Sequence, residues 1–461
     1  MDSRVEAFFE SIKGKRVAFC GIGGSNLPLV RLFAKYGAEV TACDKRTEEQ
    51  LGEAAQELKN LGAALKLGDG YLKNLDVDII FRTPGMRFTL PELTEARQKG
   101  IAVTSEMELF FDLCPCKIYA VTGSDGKTTT TTIISELLKA AGKKVHLGGN
   151  IGRPLLPEIE TIGRDDVAVA ELSSFQLISM RRSPDVAVVT NLSPNHLDIH
   201  KDMAEYIDAK KNIVCHQNAF GRAVLNADNE ITAGFASSVR GQALLFSRRQ
   251  PCEYGAWLRE DGAVMMGNTG EKVLEASEIR IPGDHNIENY LAAITAVWGE
   301  VDAETIRGVA RTFNGVEHRM EFVRELGGVK YYNDSIGTSP SRTISGTLSF
   351  YPDKIILIAG GYDKKIPFDV LGPVVVEKVK LLILMGATAD KIEAAVTSAP
   401  DYQAGCPKIL RVRSMEEAVK AAKDNARQGD IVSLSPACAS FDLYPNFEAR
   451  GNHFKELVNR L

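Results

Sequence analysis

Long apolar runs are missing from this 461-residue chain, which argues against a protein embedded in a membrane. The longest candidates, such as Lys354–Ala359 and Leu381–Met385, fall far short of the roughly 20 residues that a helix needs to cross a bilayer. The N-terminus carries Asp2 and Glu6 and has no apolar core of signal-peptide length. We therefore expect a cytoplasmic protein with no membrane insertion.

Cysteine is sparse and neither sign of charge dominates. The eight cysteines are scattered, and the one close pair, Cys114 and Cys116, lacks the C-x-x-C spacing of redox and zinc motifs. We expect these thiols to be reduced and mostly buried. With 55 Lys and Arg against 60 Asp and Glu, the net charge of −5 gives no reason to expect nucleic-acid binding.

Apolar, β-branched segments of strand length alternate with helical stretches, a rhythm typical of α/β folds with parallel sheets. It predicts three domains: a Rossmann-like N-terminal domain (1–113), a central P-loop domain with a parallel sheet (114–315) and a Rossmann-like C-terminal domain (316–461). Residues 240–280 are predicted to form a flanking antiparallel element. The predicted strands are Arg16–Cys20, Glu39–Cys43, Val77–Phe81, Ile101–Thr104, Lys117–Val121, Val167–Ala170, Val186–Val189, Val329–Tyr332, Ile355–Ala359, Leu381–Met385 and Ile431–Leu434.

The segment V-T-G-S-D-G-K-T-T-T at 121–130 lies between a predicted strand and a predicted helix. Glycines allow a tight turn whose N–H groups face inward, and the helix N-terminus adds a positive dipole end. A lysine here reaches phosphate oxygens, and the hydroxyl of Thr128 suits Mg2+. Val121 stands where a strict P-loop motif has glycine, so this is a shortened variant. The plain alternative is a polar turn before a Thr-rich helix.

Polar side chains follow two further predicted strands of the central domain. Glu171 ends one strand, and His196 and Asp198 follow another. The carboxyl ends of parallel strands share one edge, where ligands of open α/β sheets collect. Glu171 is therefore a candidate Mg2+ ligand, although either pattern alone also fits a solvated surface.

The N-terminal domain has a weaker signature. Its turn Gly21–Asn26 departs from G-x-G-x-x-G because Asn26 takes the place of the last glycine. Asp44, at the end of the next strand, would suit a ribose hydroxyl in a dinucleotide site. From these residues alone, a dehydrogenase remains an open interpretation of this domain.

Several motifs occur together in a fixed order, and with them the chain resembles the Mur ligases of peptidoglycan synthesis. They are G-S-D-G-K-T-T at 123–129, G-G-N-I-G at 148–152, E-L-S-S-F-Q-L at 171–177, N-x-x-P-x-H-L-D at 191–198, Y-x-x-A-K at 206–210, G-x-H-N at 283–286 and E-H-R at 317–319. The runs S-P-A-C-A-S at 435–440 and N-F-x-x-R-G at 446–451 resemble most closely the members that use D-glutamate.

The resemblance implies an ATP-dependent amide ligase that adds D-glutamate to UDP-N-acetylmuramoyl-L-alanine through an acyl phosphate. It implies one domain each for UDP, ATP and the amino acid, with ATP and one or two Mg2+ ions required. A monomer is expected. Another Mur ligase or a folylpolyglutamate synthetase is the nearest alternative, and a catalytically silent nucleotide-binding regulator is a more distant one.

The resemblance also implies roles for individual residues. The ATP contacts would be Gly123, Ser124, Asp125, Gly126, Lys127, Thr128, Thr129, Asn150, Asn286, Asn289, His318, Arg319 and Asp334. The contacts to the UDP-linked substrate would be Ser25, Asn26, Asp44, Arg46, Gly85, Ser173 and His196. The D-glutamate contacts would be Thr338, Lys364 (or its neighbour Lys365), Ser440 and Phe447. The metal ligands would be Thr128, Glu171, His196 and Lys210, and the catalytic residues Lys127, His196 and Lys210.

Three of these positions raise specific questions. In the family the lysine that matches Lys210 is carbamylated, which requires a neutral amine and hence a lowered pKa. By its spacing alone, however, Lys210 is predicted to be an ordinary surface lysine. His196 could assist deprotonation of the attacking amine, whereas the resemblance makes it a metal ligand. Ile336 stands where many relatives have a lysine, which removes one charge near the phosphates.

Overall fold

In the computed structural model, which describes residues 2–194, 200–364 and 366–461, the chain separates into two units, Met1–Thr312 and Phe313–Leu461. The first unit contains two parallel sheets and a small antiparallel one, and the second contains one mixed sheet. The predicted α/β class with parallel sheets is confirmed. The boundary expected between residues 113 and 114 lies inside the first unit, and the division into three domains remains a prediction.

The first sheet of the first unit is entirely parallel and has the order β3-β2-β1-β4-β5. Its strands are β1 (Arg16–Cys20), β2 (Glu39–Asp44), β3 (Ala64–Leu67), β4 (Ile79–Arg82) and β5 (Ala102–Thr104). The chain leaves β1 toward one side and later returns to β4 on the other. The turns after β1 and β4 therefore meet at the switch point where such sheets bind ligands.

The second sheet is also parallel, with the order β11-β10-β9-β6-β8-β7. Its strands are β6 (Lys117–Thr122), β7 (Val145–Gly149), β8 (Val167–Glu171), β9 (Val186–Val189), β10 (Arg222–Asn226) and β11 (Gln242–Phe246). Strand β6 lies between β8 and β9, so the ends of these three strands are neighbours at one edge. Apolar side chains fill both faces of β8 and β9, which explains why their sequences read as continuous hydrophobic runs.

The antiparallel element was expected over residues 240–280, and this prediction is wrong for its first part. Residues 242–246 form β11, which pairs with β10 in parallel. The antiparallel sheet begins at β12 (Ala256–Leu258) and continues through β13 (Ala263–Met266) and β14 (Glu271–Glu275). A short apolar run does not reveal the direction of its partner, because pairing depends on distant segments.

Helices cover the sheets of the first unit. They are α1 (Ser3–Ile12), α2 (Asn26–Lys35), α3 (Glu48–Leu51), α4 (Glu53–Asn60), α5 (Pro91–Gln98), α6 (Glu106–Leu113), α7 (Lys127–Ala140), α8 (Ser174–Leu177), α9 (Met203–Cys215), α10 (Glu230–Gly234), α11 (Asp284–Val297) and α12 (Ala303–Thr312), with 3₁₀ turns at Leu156–Thr161, Phe235–Ser238 and Ala276–Glu278. Helix α11 is buried along most of its length.

The two parallel sheets of the first unit share one hydrophobic core, which extends from Val5 in α1 to Phe235. Buried polar groups cross the same seam. The carboxylate of Glu106 accepts a hydrogen bond from the N–H of Leu156 at 2.8 Å. At the rim, Lys35 forms an ion pair with Glu160 at 2.8 Å. These contacts hold the first sheet against the second.

The second unit has one six-stranded sheet with the order β15-β16-β20-β17-β18-β19, parallel except for the edge strand β15. Its strands are β15 (Glu321–Leu326), β16 (Val329–Asn333), β17 (Ile355–Ala359), β18 (Val379–Leu384), β19 (Lys408–Arg411) and β20 (Ile431–Leu434). Its helices are α13 (Pro340–Thr343), continued by a π turn at Ile344–Leu348, α14 (Leu371–Lys378), α15 (Ala389–Thr397), α16 (Met415–Asn425) and α17 (Phe447–Arg460). Apolar clusters pack on both faces of the sheet.

Two expectations about composition are also tested. Within the part of the chain that the structure describes, no helix is both long and apolar enough to cross a membrane. The eight cysteines are all free thiols, and the six at positions 20, 43, 114, 116, 252 and 438 are buried, as predicted.

The seam carboxylate makes stability depend on pH. Burial raises the pKa of Glu106 from 4.5 to about 7, although the N–H groups of Leu156 and Leu155 oppose the shift. Because the folded-state pKa is raised, the group's stabilising contribution is complete below pH 4.5 and is lost as the pH rises through 7. This loss amounts to about 3 kcal/mol of unfolding free energy.

We expect Glu106→Gln, which keeps an acceptor for the Leu156 N–H, to reduce the fall in thermal unfolding temperature between pH 5 and pH 8. Glu10→Gln, at an exposed position of α1, is the matched control and should behave like the wild type. An equal fall in all three proteins would contradict the assignment.

Candidate functional site

The turn between β6 and α7 excludes side chains at two positions. Gly123 has φ +150°, and a Cβ there would lie 1.9 Å from Oγ1 of Thr190. Gly126 has φ +76°, and a Cβ there would lie 2.3 Å from Oδ1 of Asn289. The backbone of this turn is therefore pressed between the end of β9 and helix α11, which is why both positions require glycine.

Residues after β9 hold the turn in place. The N–H of Ser124 donates to the carbonyl of Asn191 at 2.8 Å, and the N–H of Asp125 donates to Oδ1 of Asn191 at 2.9 Å. Oγ1 of Thr190 donates to the carbonyl of Asp125 at 2.6 Å. The hydroxyl groups of Ser124 and Tyr206 lie 2.9 Å apart. These bonds hold the turn in the conformation described.

Lys127 is the first residue of α7, and Thr128 and Thr129 complete its first turn. The ammonium of Lys127 donates to the carbonyl of Ser124 at 2.9 Å. The side chain therefore folds back over the turn, where the positive end of the α7 dipole also points. An ammonium beside a helix N-terminus is an arrangement that can bind phosphate groups.

Glu171, at the end of β8, is 2% exposed and accepts two hydrogen bonds from predicted site residues. Oγ1 of Thr128 donates to its Oε2 at 2.7 Å, and Nδ2 of Asn150 donates to its Oε1 at 2.8 Å. The structure thus brings together three residues that are far apart in the sequence. Carboxylate and hydroxyl oxygens are the ligands that Mg2+ prefers, so Thr128 and Glu171 fit this ion.

Lys210 lies beneath the turn, and the expectation of a surface lysine is wrong. Its side chain is 2% exposed, and its Nζ donates to Gly123 O at 2.9 Å and to Thr122 Oγ1 at 3.1 Å. Burial lowers the pKa of Lys210 well below its ordinary value; the charge of Lys127 adds to this, while Glu171 opposes it.

The burial of Lys210 has a signal in the sequence that the spacing argument missed. Tyr206, Ala209, Lys210 and Ile213 are all buried in α9 and recur at helical spacing, so they share the face that packs on the sheet. A lysine that falls on the apolar face of a helix is the sequence pattern that predicts a buried lysine. Tyr206, which contacts Ser124, was likewise not predicted as a site residue.

His196, Asp198 and Lys365 lie outside the described residues, so their predicted roles remain predictions. Over residues 2–194, 200–364 and 366–461, no group of three or more His, Cys, Asp and Glu residues is placed to hold a metal ion. Of the four predicted metal ligands, the structure describes Thr128, Glu171 and Lys210, and the first two are in direct contact.

Asn286 and Asn289 lie in α11 and are buried behind the turn. Oδ1 of Asn289 accepts from Oγ1 of Thr130 at 3.1 Å, and its Nδ2 donates to Oδ1 of Asn286 at 3.0 Å. Asn286 in turn donates to the carbonyl of Pro282 at 2.7 Å. These contacts show both side chains supporting the start of α7; whether they also contact a nucleotide remains a prediction.

In the first sheet, Asp44 closes the glycine turn after β1. Its Oδ2 accepts from the N–H of Ile22 at 2.7 Å, and its Oδ1 accepts from the N–H of Arg46 at 2.9 Å. Burial alone would raise the pKa of Asp44, but the bonds from Arg46 and Ile22 bring it below its ordinary value. Nδ2 of Asn26 donates to the carbonyls of Cys20 and Gly21 at 3.1 and 3.0 Å.

The remaining predicted contacts of the UDP-linked substrate lie at turns of the same unit. Ser25 immediately precedes α2, and Gly85 lies in the turn after β4. Ser173 caps α8: its Oγ accepts from the N–H of Gln176 at 3.3 Å and donates to Oε1 of Gln176 at 2.9 Å. All three residues lie beyond the carboxyl ends of parallel strands, and their contacts with the substrate remain predictions.

In the second unit, two of the predicted D-glutamate contacts touch each other. Nζ of Lys364 donates to the carbonyl of Thr338 at 3.2 Å. Ser440 is buried in the loop after β20, and the carbonyl of Phe447, at the start of α17, accepts from Oγ of Ser335 at 2.8 Å.

Arg450 of α17 was not predicted as a site residue, although it belongs to the N-F-x-x-R-G motif. Its guanidinium is buried and donates to Ser335 Oγ at 3.0 Å, Ser335 O at 2.9 Å, Ala439 O at 3.1 Å and Cys438 O at 3.1 Å. Burial lowers the pKa of Arg450 to about 10. The side chain therefore ties the loop after β16 to the loop after β20.

Asp334, at the end of β16, is a buried carboxyl. Its Oδ2 accepts from Thr347 Oγ1 at 2.8 Å and from Ser435 Oγ at 2.7 Å. Burial raises the pKa of Asp334 to about 6, partly offset by these two hydroxyls. His318 is also buried, with Nδ2 of Asn333 at 2.9 Å from its Nδ1, and Arg319 follows it in the chain. The predicted nucleotide contacts of these residues remain predictions.

Comparisons with known proteins agree over the whole chain. A sequence model described as Mur ligase middle domain matches residues 121–297, and one described as Mur ligase, glutamate ligase domain matches residues 318–438. A protein of Acetivibrio thermocellus named UDP-N-acetylmuramoylalanine–D-glutamate ligase is 54% identical, with 100% of both chains covered. Proteins of the same name from Ruminiclostridium cellulolyticum and Clostridium botulinum (strain Okra) are 51% and 50% identical, also with 100% of both chains covered.

Solved structures show the same fold. A UDP-N-acetylmuramate–alanine ligase from Thermotoga maritima superposes with a TM-score of 0.56 at 19% identity, covering 97% of this chain and 99% of the other. A pseudomurein peptide ligase from Methanothermus fervidus gives a TM-score of 0.52 at 17% identity, again covering 97% and 99%.

The close approach at Gly126 yields a testable prediction. Gly126→Ala should lower the thermal unfolding temperature more than Gly142→Ala, because a Cβ at 126 meets Asn289 whereas one at 142 meets nothing within 4 Å. Gly142 is the matched control, since its φ of +80° is also left-handed and it follows the other end of α7. We expect about 1–2 kcal/mol of strain from the backbone alone in both variants. Equal losses would show that the turn is not packed as described.

Proposed function

Since the chain belongs to the Mur ligase family, we propose that it joins D-glutamate to UDP-N-acetylmuramoyl-L-alanine while converting ATP to ADP and phosphate. The observation that carries the proposal is the end-to-end match to relatives named for this reaction. The arrangement of Lys127, Glu171 and Lys210 at one sheet edge supports it chemically. The product would be a precursor for peptidoglycan synthesis.

The reaction has two steps in this proposal. A carboxylate oxygen of the alanyl group attacks the terminal phosphorus of ATP, the bond to ADP breaks, and an acyl phosphate forms. The neutral amine of D-glutamate then attacks the acyl carbon, phosphate leaves, and the amine loses a proton as the amide forms. Carboxylate and triphosphate repel each other, so the first step requires fixed positive charge between them.

The chain supplies this charge at the turn after β6. We propose that Lys127 and the N-terminus of α7 bind the phosphates, with Gly123–Thr129 following their outline. Thr128 and Glu171 would hold Mg2+, together with His196. When bound, Mg2+ neutralises phosphate charge and orients the terminal phosphoryl group. Asn150 holds the Glu171 carboxylate in the orientation that this binding needs.

Lys210 is proposed to carry a carbamate. Carbamylation requires an unprotonated amine, and burial provides one by lowering the pKa of Lys210. Addition of the neutral amine nitrogen to CO2 forms the carbamate and releases a proton, which converts a buried neutral amine into an anionic oxygen ligand. The charge of Glu171 acts on the pKa of Lys210, and we propose that the carbamate serves as a metal ligand on the same side of the site.

Further ligand contacts are assigned to both units. In the first unit we propose that Ser25, Asn26, Asp44, Arg46, Gly85 and Ser173 contact the UDP-linked substrate. In the second unit we propose that Thr338, Lys364, Ser440 and Phe447 contact D-glutamate, and that His318, Arg319 and Asp334 contact ATP, as do Asn286 and Asn289 of the first. Lys364 provides a positive charge for one carboxylate of the amino acid.

We further propose that the protein works as a monomer in the cytoplasm. One chain contains all of the residues assigned to the three ligands. Its eight free thiols suit a reducing compartment.

The proposed function is tested by phosphate release from ATP and Mg2+ in the presence of UDP-N-acetylmuramoyl-L-alanine and D-glutamate. Release should require both acceptors, and Lys127→Ala should slow it by at least about a hundredfold because the charge that stabilises the transition state is removed. Lys139→Ala, on the exposed far end of α7, is the control and should be unaffected. Release that ignores D-glutamate, or that occurs with glutamate-accepting folates instead, would overturn the proposal.

The carbamate is tested separately by 13C NMR of the protein in 13C-bicarbonate. We expect a carbamate carbonyl signal in the wild type and in Lys211→Arg, and none in Lys210→Arg. Lys211 is the matched control because it is the next residue of α9. A wild type without the signal would show that Lys210 acts as an unmodified amine.

A further inference from the structure

Arg82 is a buried arginine that none of the assignments above uses. It is the last residue of β4, 1% exposed, and immediately precedes the Thr83–Gly85 turn. Burying a guanidinium is costly unless its donors find acceptors, so the contacts of Arg82 indicate what it does.

On one side, Arg82 binds its own turn. Nη1 donates to the carbonyl of Met86 at 3.0 Å and to that of Pro84 at 3.5 Å. The guanidinium also lies over the ring of Phe88, 5.8 Å from its centroid. The turn after β4 therefore wraps around this side chain and takes its shape from it.

On its other side, Arg82 binds the segment that follows β8 of the second sheet. Nη2 donates to the carbonyl of Phe175 at 3.2 Å and to Oγ of Ser179. Phe175 belongs to α8, which begins directly after Ser173. One planar group thus joins a turn of the first sheet to the segment that follows β8 of the second.

The buried guanidinium of Arg82 and the buried carboxylate of Glu108 influence each other's pKa. Burial lowers the pKa of Arg82, and the nearby carboxylate of Glu108 opposes that shift. Burial in turn raises the pKa of Glu108, which Ser105, Arg82 and Ser179 oppose. The fork of donors on a guanidinium reaches acceptors on two sides at once, which the single ammonium of a lysine cannot reproduce.

A second polar chain crosses the same seam nearer the surface. Arg87 forms an ion pair with Glu205 at 3.5 Å, and Oε2 of Glu205 lies 3.3 Å from Nδ1 of His200. Nε2 of His200 lies 2.8 Å from Oγ of Ser174. The two ends of this chain are again the turn after β4 and the start of α8, so two independent sets of bonds fix the same spacing.

We propose that Arg82 is a positioning residue for the UDP-linked substrate: it sets the distance between the turn containing Gly85 and the segment containing Ser173. This inference rests on the proposed function, in which both residues contact that substrate. Because the two contacts come from different sheets, a change in their spacing weakens binding of this substrate specifically. Binding of ATP and of D-glutamate depends on other elements.

The test compares Arg82→Lys with Arg97→Lys in the full-length enzyme. Arg97 is the matched control: it lies 4.0 Å from the Phe88 centroid and donates to Phe88 O at 2.9 Å and Thr94 Oγ1 at 2.9 Å, with no described contact to α8. We expect Arg82→Lys to raise KM for UDP-N-acetylmuramoyl-L-alanine about tenfold or more. KM for ATP and for D-glutamate should stay within about twofold. Arg97→Lys should leave all three values unchanged.

The outcomes separate the inference from the proposed function. A wild type that does not ligate D-glutamate refutes the function, whereas an active wild type with an unchanged KM in Arg82→Lys refutes the inference alone. A lower unfolding temperature with all three KM values raised together would assign Arg82 a purely structural role, also against the inference.

Should Arg82→Lys fail to fold, Ser179→Ala decides the question, because it removes one acceptor on the α8 side and leaves Arg82 in place. A rise in KM confined to the UDP-linked substrate supports the inference, and an unchanged KM overturns it. The variant should also raise the Kd of the UDP-linked substrate, measured by calorimetry without ATP.

Discussion

The contact between the Lys210 amine and the carbonyl of Gly123 is the interaction on which the rest of the site depends. It places a titratable nitrogen under the turn that is proposed to bind phosphate, with Glu171 at the neighbouring strand end. A buried ammonium in this position is unfavourable, so the amine tends to lose its proton. An amine that loses its proton is poorly suited to act as a structural cation. It is well suited to the carbamylation proposed above. The glycines, the β9 residues and α9 all serve to hold this arrangement.

The same principle operates at the seam between the two parallel sheets of the first unit. A shared apolar core would allow the sheets to slide, because hydrophobic contacts have little directional preference. Glu106 and Arg82 are buried there and form directional hydrogen bonds with backbone groups of the opposite side, which favour one relative position of the two sheets. Each costs free energy to bury, and in return each favours one arrangement of the two sheets.

The sequence predicted most of the interior strands, although it missed β10, and it missed most of the edge strands, with β5 as the exception. Strands β8 and β17, fully buried, were found because burial on both faces demands continuous apolar runs. Strands β3 and β19 were missed because they lie at sheet edges, are half-exposed and carry lysine among short apolar stretches. The direction of β11 was wrong because a strand's own residues do not encode which neighbour it joins.

By itself, the sequence determined the α/β class and the glycine-rich turn between β6 and α7, since both are local: strands and helices follow from periodicity, and G-S-D-G-K-T-T forms one continuous segment. It also suggested Glu171, because strand ends share an edge. The tertiary structure alone decided that Lys210 lies beneath the turn after β6, that Asn289 lies behind Gly126 and that Arg82 joins two sheets. These facts depend on which distant surfaces pack together, and burial, unlike residue type, belongs to the packed assembly of elements and not to any one segment.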